Sequence, residues 1–420
     1  MTTGARGRNF PIARRRMHQP ARNSSEEDTM TTNYDPALAP TFERIDTYEE
    51  WQKNEGAVIH GGLYIRDLYS LELDYWPRKG CNGAVVYLDG DEETDEHVVE
   101  VGPAGKTNPE RHMFNEVIYV LSGRGATSVW YDESRKQTFE WTEGAYFSIP
   151  MNAWYQHFNG SGTEPTRMVS VTNLPGMIRK FITEDFIWNN PYVFPDRLTA
   201  EEGWASGSGQ MYKGRVWETN FLPDAANMPM PDWSERGAGG TNIMLSLSDN
   251  TVSSHISEFP VGTYKKAHRH GPGAHLLITG GVGFALVWQK EDMSDLVKAD
   301  WQRGSLYLPT QDAYSEYFHQ HFNVGTTPAR YINMSPSNSR KYTYQRGIND
   351  PSRRGEIRAM VSIKEGGIQL EYEDEDPRVH EIFEAELAKY GQECRMKNLV
   401  STCTGVPGPE NKKGALQDYD

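Results

Sequence analysis

Between Gly80 and about Asn173, apolar positions fall in short β-branched and aromatic runs such as Val117-Ile118-Tyr119-Val120-Leu121, cut by Gly and Asn turns. Short runs bounded by turn residues predict strands. The same texture returns from about Val216 to Tyr344. Three stretches differ. Residues 41–56 predict a short helix around Tyr48-Glu49-Glu50-Trp51. Residues 174–203, punctuated by Pro175, Pro191 and Pro195, read as a helical or irregular connection. Asp376-Pro377 opens a helix that runs to Tyr390 and stops at Gly391, with Asp as N-cap, Pro in the first turn and Gly at the C-cap. Its stripe of Val379, Phe383, Leu387 and Tyr390 is expected to pack on a barrel. His380 is followed by no second His at the spacing of a zinc-protease helix, so it reads as part of a solvated face. The tail after Lys397 reads as disordered.

Two pieces of the chain match each other: Tyr155-Gln156-His157-Phe158-Asn159 and His319-Gln320-His321-Phe322-Asn323. Each follows a Gly-x-Gly turn and a strand ending in Trp (Gly123-Arg124-Gly125 to Trp130; Gly281-Val282-Gly283 to Trp288), and each precedes Pro-x-Arg, ending at Arg167 and Arg330. The chain therefore carries two copies of one β-rich unit. The expected division is a disordered basic tail over 1–40, a first barrel with its connection over 41–200, a second barrel over 201–345, and a C-terminal extension over 346–420 with its helix at 377–390.

Charge and composition narrow the partners. A formal charge of −15 over 420 residues argues against nucleic acid and anionic membrane, though a pocket can still be locally positive. No apolar run is long enough to cross a bilayer, and mean hydropathy is −0.70. A soluble, cytoplasmic protein is expected. Cys81, Cys394 and Cys403 are scattered, without metal-type spacing, and fit a reducing compartment with no structural disulfide. The arginines of the first segment, Arg6 to Arg22, fit either a transit peptide or a basic tail, and the absence of an amphipathic helix favours the tail.

Candidate chemistry concentrates in the second copy. In His268-Arg269-His270, residues i and i+2 of a strand point to one face, so two imidazoles converge. His319 offers a third ligand from another strand, and neutral imidazoles suit Fe, Cu, Ni or Zn. Without that partner, the pair would read as ordinary strand histidines.

The pattern resembles the cupin superfamily. Gly262 is followed by five residues and then His268 and His270; Ala274 stands where cupins usually carry Glu; and Gly281 closes the motif. His319 with Asn323 resembles the second cupin motif, although about five residues are inserted between Pro309 and His319. The His-Arg-His-x-Pro-x-Ala form is similar to gentisate 1,2-dioxygenase-like ring-cleaving enzymes with two cupin barrels. That resemblance implies an all-β fold of two jelly-roll barrels in tandem, three histidines on Fe(II), and a homo-oligomer. His275 has the spacing of a further ligand, while strand alternation turns it away. By the same alignment the first copy places Glu110, His112, Glu116 and Tyr155 at the ligand positions, and reads as a structural or lapsed site.

Strand parity adds further candidates. Lys266 and Tyr264 share a face with His268, and Tyr317 and His321 share one with His319. Catalytic roles are assigned to His321, Tyr317 and Lys266, and substrate contacts to Arg330, Tyr264 and Trp288; packing or surface ion pairing is the competing use of each. The expected function is a non-haem Fe(II) dioxygenase, with Mn, Zn or Ni as other metals, acting with O2 on a small carboxylate-bearing aromatic or enolic acid. The alternatives are a metal-dependent lyase, decarboxylase or isomerase, and a non-catalytic binding protein.

Overall fold

The computed structural model describes residues 43–198, 203–248, 253–271, 273–335 and 360–414. The basic N-terminal tail lies outside them. The chain is all-β, with two jelly-roll barrels in tandem, each closed by a large sheet facing a smaller one. In the N-terminal barrel the large sheet includes Cys81–Val86, Asp95–Val101, Thr166–Thr172, Glu116–Ser122 and Tyr146–Ile149, and the small one is Trp154–Asn159, Arg124–Trp130 and Gln137–Thr142. The C-terminal barrel repeats this. Its large sheet includes Thr241–Leu247, Ser253–Phe259, Ala329–Ser335 and His275–Gly280, and its small sheet is His268–His270, Tyr317–Asn323, Val282–Trp288 and Val297–Gln302.

The repeated motifs are explained by this architecture. Gly123 and Gly281 adopt φ of 88° and 85°, the left-handed region that tightens each hairpin. At Gly125 and Gly283 a Cβ would collide with a neighbouring carbonyl and with the ring of Trp141 or Trp301, so only glycine lets that indole lie against the strand. Asn159 and Asn323 donate to backbone carbonyls and accept from Ser161 and Gly325 amides, holding equivalent turns.

The barrels exchange edge strands. Tyr64–Ile65, early in the chain, pairs with Leu306–Tyr307 of the C-terminal barrel, and Phe221–Leu222 pairs with Tyr146–Phe147 of the N-terminal one. Residues of both large sheets, among them Val98, Val117, Val169, Ile243, Ile256 and Ile332, share one apolar cluster. Strands buried on both faces read as continuous apolar runs, which is why the sequence shows runs here rather than alternation.

Helices Thr47–Glu55, Leu174–Phe181 and Glu184–Trp188 pack beside the N-terminal barrel. The C-terminal helix spans Pro377–Lys389, with the Asp376 carboxylate capping the Arg378 amide. Val379, Phe383 and Leu387 are buried as expected, whereas Tyr390 is 49% exposed. Two expectations for this region are corrected. His380 is buried rather than solvated, because its helix face turns toward Tyr264 and the following loop. The stretch after Lys397 packs through Val400 and Cys403 and is described to residue 414. All three cysteines are buried thiols. Among the described residues no helix is long and apolar enough to cross a membrane.

Candidate metal centre

Strand His268–His270 pairs antiparallel with Tyr317–Asn323, placing His268 directly opposite His319. The i, i+2 rule then puts three imidazoles on one interior face. Ring centroids lie 4.0 Å apart for His268 and His319 and 4.6 Å apart for His270 and His319, and one nitrogen from each ring lies within 4.8 Å of the others. His319 Nδ1 meets the Tyr317 carbonyl at 3.3 Å and His270 Nδ1 meets the Gly271 carbonyl at 2.7 Å. A carbonyl only accepts, so Nδ1 carries the proton in both rings and Nε2 keeps its lone pair. His268 Nδ1 is buried without a hydrogen-bond partner among the described residues.

Burial, then the charge of Arg236 and the neighbouring imidazoles, holds His268 well below the ordinary histidine range; burial and the imidazoles, then Arg236, do the same for His319. Both rings are neutral donors at neutral pH. Three neutral, converging imidazoles suit a borderline divalent ion such as Fe(II), Ni(II) or Zn(II).

His321 continues the row. Its Nδ1 lies 2.9 Å from the Tyr307 hydroxyl and its ring centroid 5.5 Å from that of His319. His275 does not join the three. It is fully buried at the seam between the barrels, with both ring nitrogens on the carboxylates of Glu96 and Asp91.

Several expected site residues lie elsewhere. Tyr264 pairs with Phe322, the Lys265 amide bonds the His321 carbonyl, and His268 pairs with His319. Four steps along one strand are thus matched by three on its partner, which is a β-bulge. The extra residue flips the alternation, so Lys265 rather than Lys266 shares the interior face with His268. Lys266 instead binds Glu371 at 2.7 Å and the Lys412 carbonyl at 3.0 Å. Tyr264 points outward under the C-terminal helix, its hydroxyl on Glu375 and His380. Trp288 stacks on Phe318, whose side of the strand is opposite that of His319, and joins the cluster beneath the same helix. The Tyr317 hydroxyl donates to Asp312 at 2.7 Å, which pins the inserted loop and pushes the phenol up to about 12. Arg330 is spent on Glu258 and on the Ala225 and Met228 carbonyls.

Three contributors were missed. Lys265 is buried, donates to the Tyr331 hydroxyl at 3.1 Å, and lies over the rings of Trp233, Tyr331 and Phe259. Burial, then the like charges of Arg236 and Arg215, depresses its ammonium well below the usual lysine range. Arg236 is buried beside it, lowered to about 9 by burial, and donates to Gln369 at 3.1 Å. The third is the C-terminal arm. Residues 368–370 run along Ala267–Arg269 through Arg269 N to Ile368 O and Leu370 N to Ala267 O, so the arm forms an edge of the histidine strand. Parity counting could have found Lys265 only if the bulge had been known.

The corresponding place in the N-terminal barrel is filled by the protein's own cation. Lys79 Nζ contacts the Glu110 carboxylate and lies 3.4 Å from the Tyr155 hydroxyl. The Tyr155 hydroxyl lies between two carboxylates, 2.5 Å from Glu110 and 3.0 Å from Glu116, and His112 Nε2 meets Glu116 at 3.0 Å. Burial opposes the lysine charge, but Glu110 and Glu116 outweigh it and keep the ammonium protonated. A positive charge thus stands among the residues aligned with metal ligands.

Residues 97–172 match a family model described as Cupin domain. No curated protein matches the sequence. Among solved structures, the chain is similar to Momordica charantia 7S globulin (12% identity, TM-score 0.42, covering 66% of this chain and 85% of that one). It is also similar to oxalate decarboxylase from Bacillus subtilis (12%, 0.42, 66% and 76%) and to vicilin from Corylus avellana (11%, 0.43, 66% and 86%). At these values neither substrate nor metal carries over to this chain.

Proposed function

We propose that the C-terminal barrel holds one divalent metal ion on His268, His270 and His319, and that the chain is a non-haem Fe(II) dioxygenase acting on a small aromatic or enolic acid. The observation that carries this reading is the all-imidazole donor set, converging and held neutral by burial. When bound, such an ion supplies redox chemistry and open coordination positions, since three ligands leave about three of an octahedron unfilled.

The chain's own residues supply the rest. Arg236 beside the histidine row would provide positive charge, and Lys265 a buried amine donor, to orient a substrate carboxylate. His321, bonded to Tyr307 at Nδ1 and held well below the ordinary histidine range chiefly by burial, stays neutral and would present Nε2 to the substrate as a hydrogen-bond partner. Trp233, Phe259 and Tyr331 surround Lys265 and exclude water, which strengthens each charge–charge contact. The N-terminal barrel, closed by Lys79, is structural in this reading.

The test is metal analysis of anaerobically purified protein, followed by oxygen uptake with catechol-like, gentisate-like and salicylate-like acids. Iron lost in both His268→Ala and His319→Ala, together with O2-dependent turnover, is expected. Turnover that proceeds without O2 would replace the dioxygenase with a metal-dependent lyase. Full iron in His319→Ala would remove that residue from the ligand set.

A further inference from the structure

A second set of ligating side chains meets outside both barrels, where the C-terminal helix faces the loop that follows it. His380 and Glu384 stand one helical turn apart on one face of the helix. Cys394 and Cys403 come from the irregular loop beyond, whose shape is held by Val406 N to Cys394 O and Cys403 N to Val400 O. The two sulfurs lie 3.1 Å apart, Cys394 Sγ lies 3.9 Å from His380 Nε2, and Nε2 lies 3.3 Å from Glu384 Oε1. One donor atom from each of the four residues lies within 4.8 Å of the others. The cysteines, scattered in sequence, are thus neighbours in space.

We propose that His380, Glu384, Cys394 and Cys403 bind a structural zinc ion. Zn–S bonds of about 2.3 Å and Zn–N bonds of about 2.0 Å in a tetrahedron set donors about 3.3–3.8 Å apart, close to the separations here. Two thiolates select zinc over the harder ions that carboxylate sites favour. The surroundings orient the donors as well. The Tyr264 hydroxyl donates to Glu375, so its oxygen, 3.2 Å from His380 Nδ1, accepts from that nitrogen and leaves Nε2 aimed at the sulfurs. Glu384 is steadied by the Thr404 amide and hydroxyl at 3.0 and 3.1 Å. His380, Cys394 and Cys403 are all buried, as a closed structural site requires.

The location gives the ion its role. The described residues after the helix, to 414, form no helix or strand, and ordering such a segment costs about 1–2 kcal/mol per residue in backbone entropy. Loop-rich pieces of this kind are commonly fastened by a metal or a disulfide. This arm bonds the barrel at Gly262 through the Arg395 amide and at Lys266 through the Lys412 carbonyl, on the segment that leads into His268. Zinc at the arm would hold one wall of the barrel centre without touching its chemistry.

The test uses the full chain isolated in chelator-free buffer. About one zinc per chain is expected, retained in His268→Ala and lost in Cys403→Ser. Cobalt(II) loaded in its place should give a near-ultraviolet thiolate charge-transfer band, absent in Cys403→Ser. Because that variant could fail to fold, the unsubstituted chain is also titrated with a mercurial: zinc should be released as Cys394 and Cys403 react. Thiols that react with no zinc released, a cobalt spectrum lacking the thiolate band, or a Cys394–Cys403 disulfide in protein purified without reductant would each overturn the proposal. Loss of the barrel metal alone leaves the zinc assignment standing, so the two sites fail separately.

Discussion

His275 of the C-terminal barrel is clamped by Glu96 of the N-terminal barrel: its Nδ1 meets the Glu96 carboxylate, while its Nε2 reaches Asp91 at 3.1 Å, all of them buried at the seam. Burial opposes the imidazolium, but the attraction of Glu96 and the hydrogen bonds the ring donates to Asp91 and Glu96 outweigh it and lift His275 from 6.5 to about 10. The folded protein therefore binds a proton that the unfolded chain releases above about 6.5. This contribution to stability is complete below pH 6.5 and is lost as pH rises towards 10. Denaturant midpoints measured from pH 6 to 9 should fall with pH, and His275→Gln should flatten that slope. The variant should also lose about 3–5 kcal/mol, since it strands buried carboxylates. Parallel profiles for the two proteins would show that His275 is neutral in the fold.

Lys265 and Lys266 are adjacent in sequence and opposite in consequence, because the bulge before His268 turns only the first into the barrel. Lys265→Met should raise KM for an acid substrate about 10–100-fold, the worth of a charge-assisted hydrogen bond, with metal content unchanged. Lys266→Met should leave KM near its starting value and lower the unfolding midpoint, because buried Glu371 loses its cation and keeps only the Gln369 amide. The reverse pattern would mean that no bulge exists and that simple alternation holds.

The same bulge marks where the sequence stops being legible. The tandem repeat and the three converging histidines rest on short motifs and strand parity, and both appear in the fold as read. Parity fails at Tyr264 and Lys266 because one extra backbone residue inverts every side chain before it. Trp288 is illegible for another reason: an aromatic residue near a histidine motif looks the same in sequence whether it faces the barrel or a covering helix. The wall formed by residues 368–370 comes from about a hundred residues further along the chain than His268, with no local pattern to announce it. The clustering of His380, Glu384, Cys394 and Cys403 was equally hidden, since a helix and an irregular loop fix no spacing between them.

Lys79 provides a direct test of what closes the N-terminal barrel to a metal. Its ammonium sits against Glu110, and Glu110 and Glu116 are held ionised against their burial, Glu110 chiefly by Lys79 and Glu116 chiefly by His112 and then Lys79. Lys79→Met removes the cation and leaves two buried carboxylates facing each other, which should cost about 3–5 kcal/mol. A divalent ion can take the vacated charge, using Glu110, His112 and Glu116 as ligands. The variant's thermal midpoint should therefore rise on adding Mn(II), while that of the parent should not move through this site. A variant as stable as the parent, and indifferent to Mn(II), would mean that the lysine is not what closes the barrel.

Arg330 and Arg167 occupy the same position in the two repeats, and each does the same work. Arg167 lies opposite Glu100 on the neighbouring strand and donates to the Leu68, Tyr69 and Leu71 carbonyls. Arg330 lies opposite Glu258 and donates to the Ala225 and Met228 carbonyls. Each thus anchors the segment adjoining an exchanged edge strand, Tyr64–Ile65 or Phe221–Leu222. Lysine keeps the charge but lacks the planar fork that reaches a carboxylate and two carbonyls together. Arg330→Lys should lower the unfolding midpoint by the equivalent of about 2–4 kcal/mol, with KM and metal content unchanged, and Arg167→Lys should do the same although its barrel holds no open centre. If Arg330→Lys raised KM and left the midpoint alone, Arg330 would belong to substrate binding after all, and the match between the repeats would reflect chemistry rather than the fastening of exchanged strands.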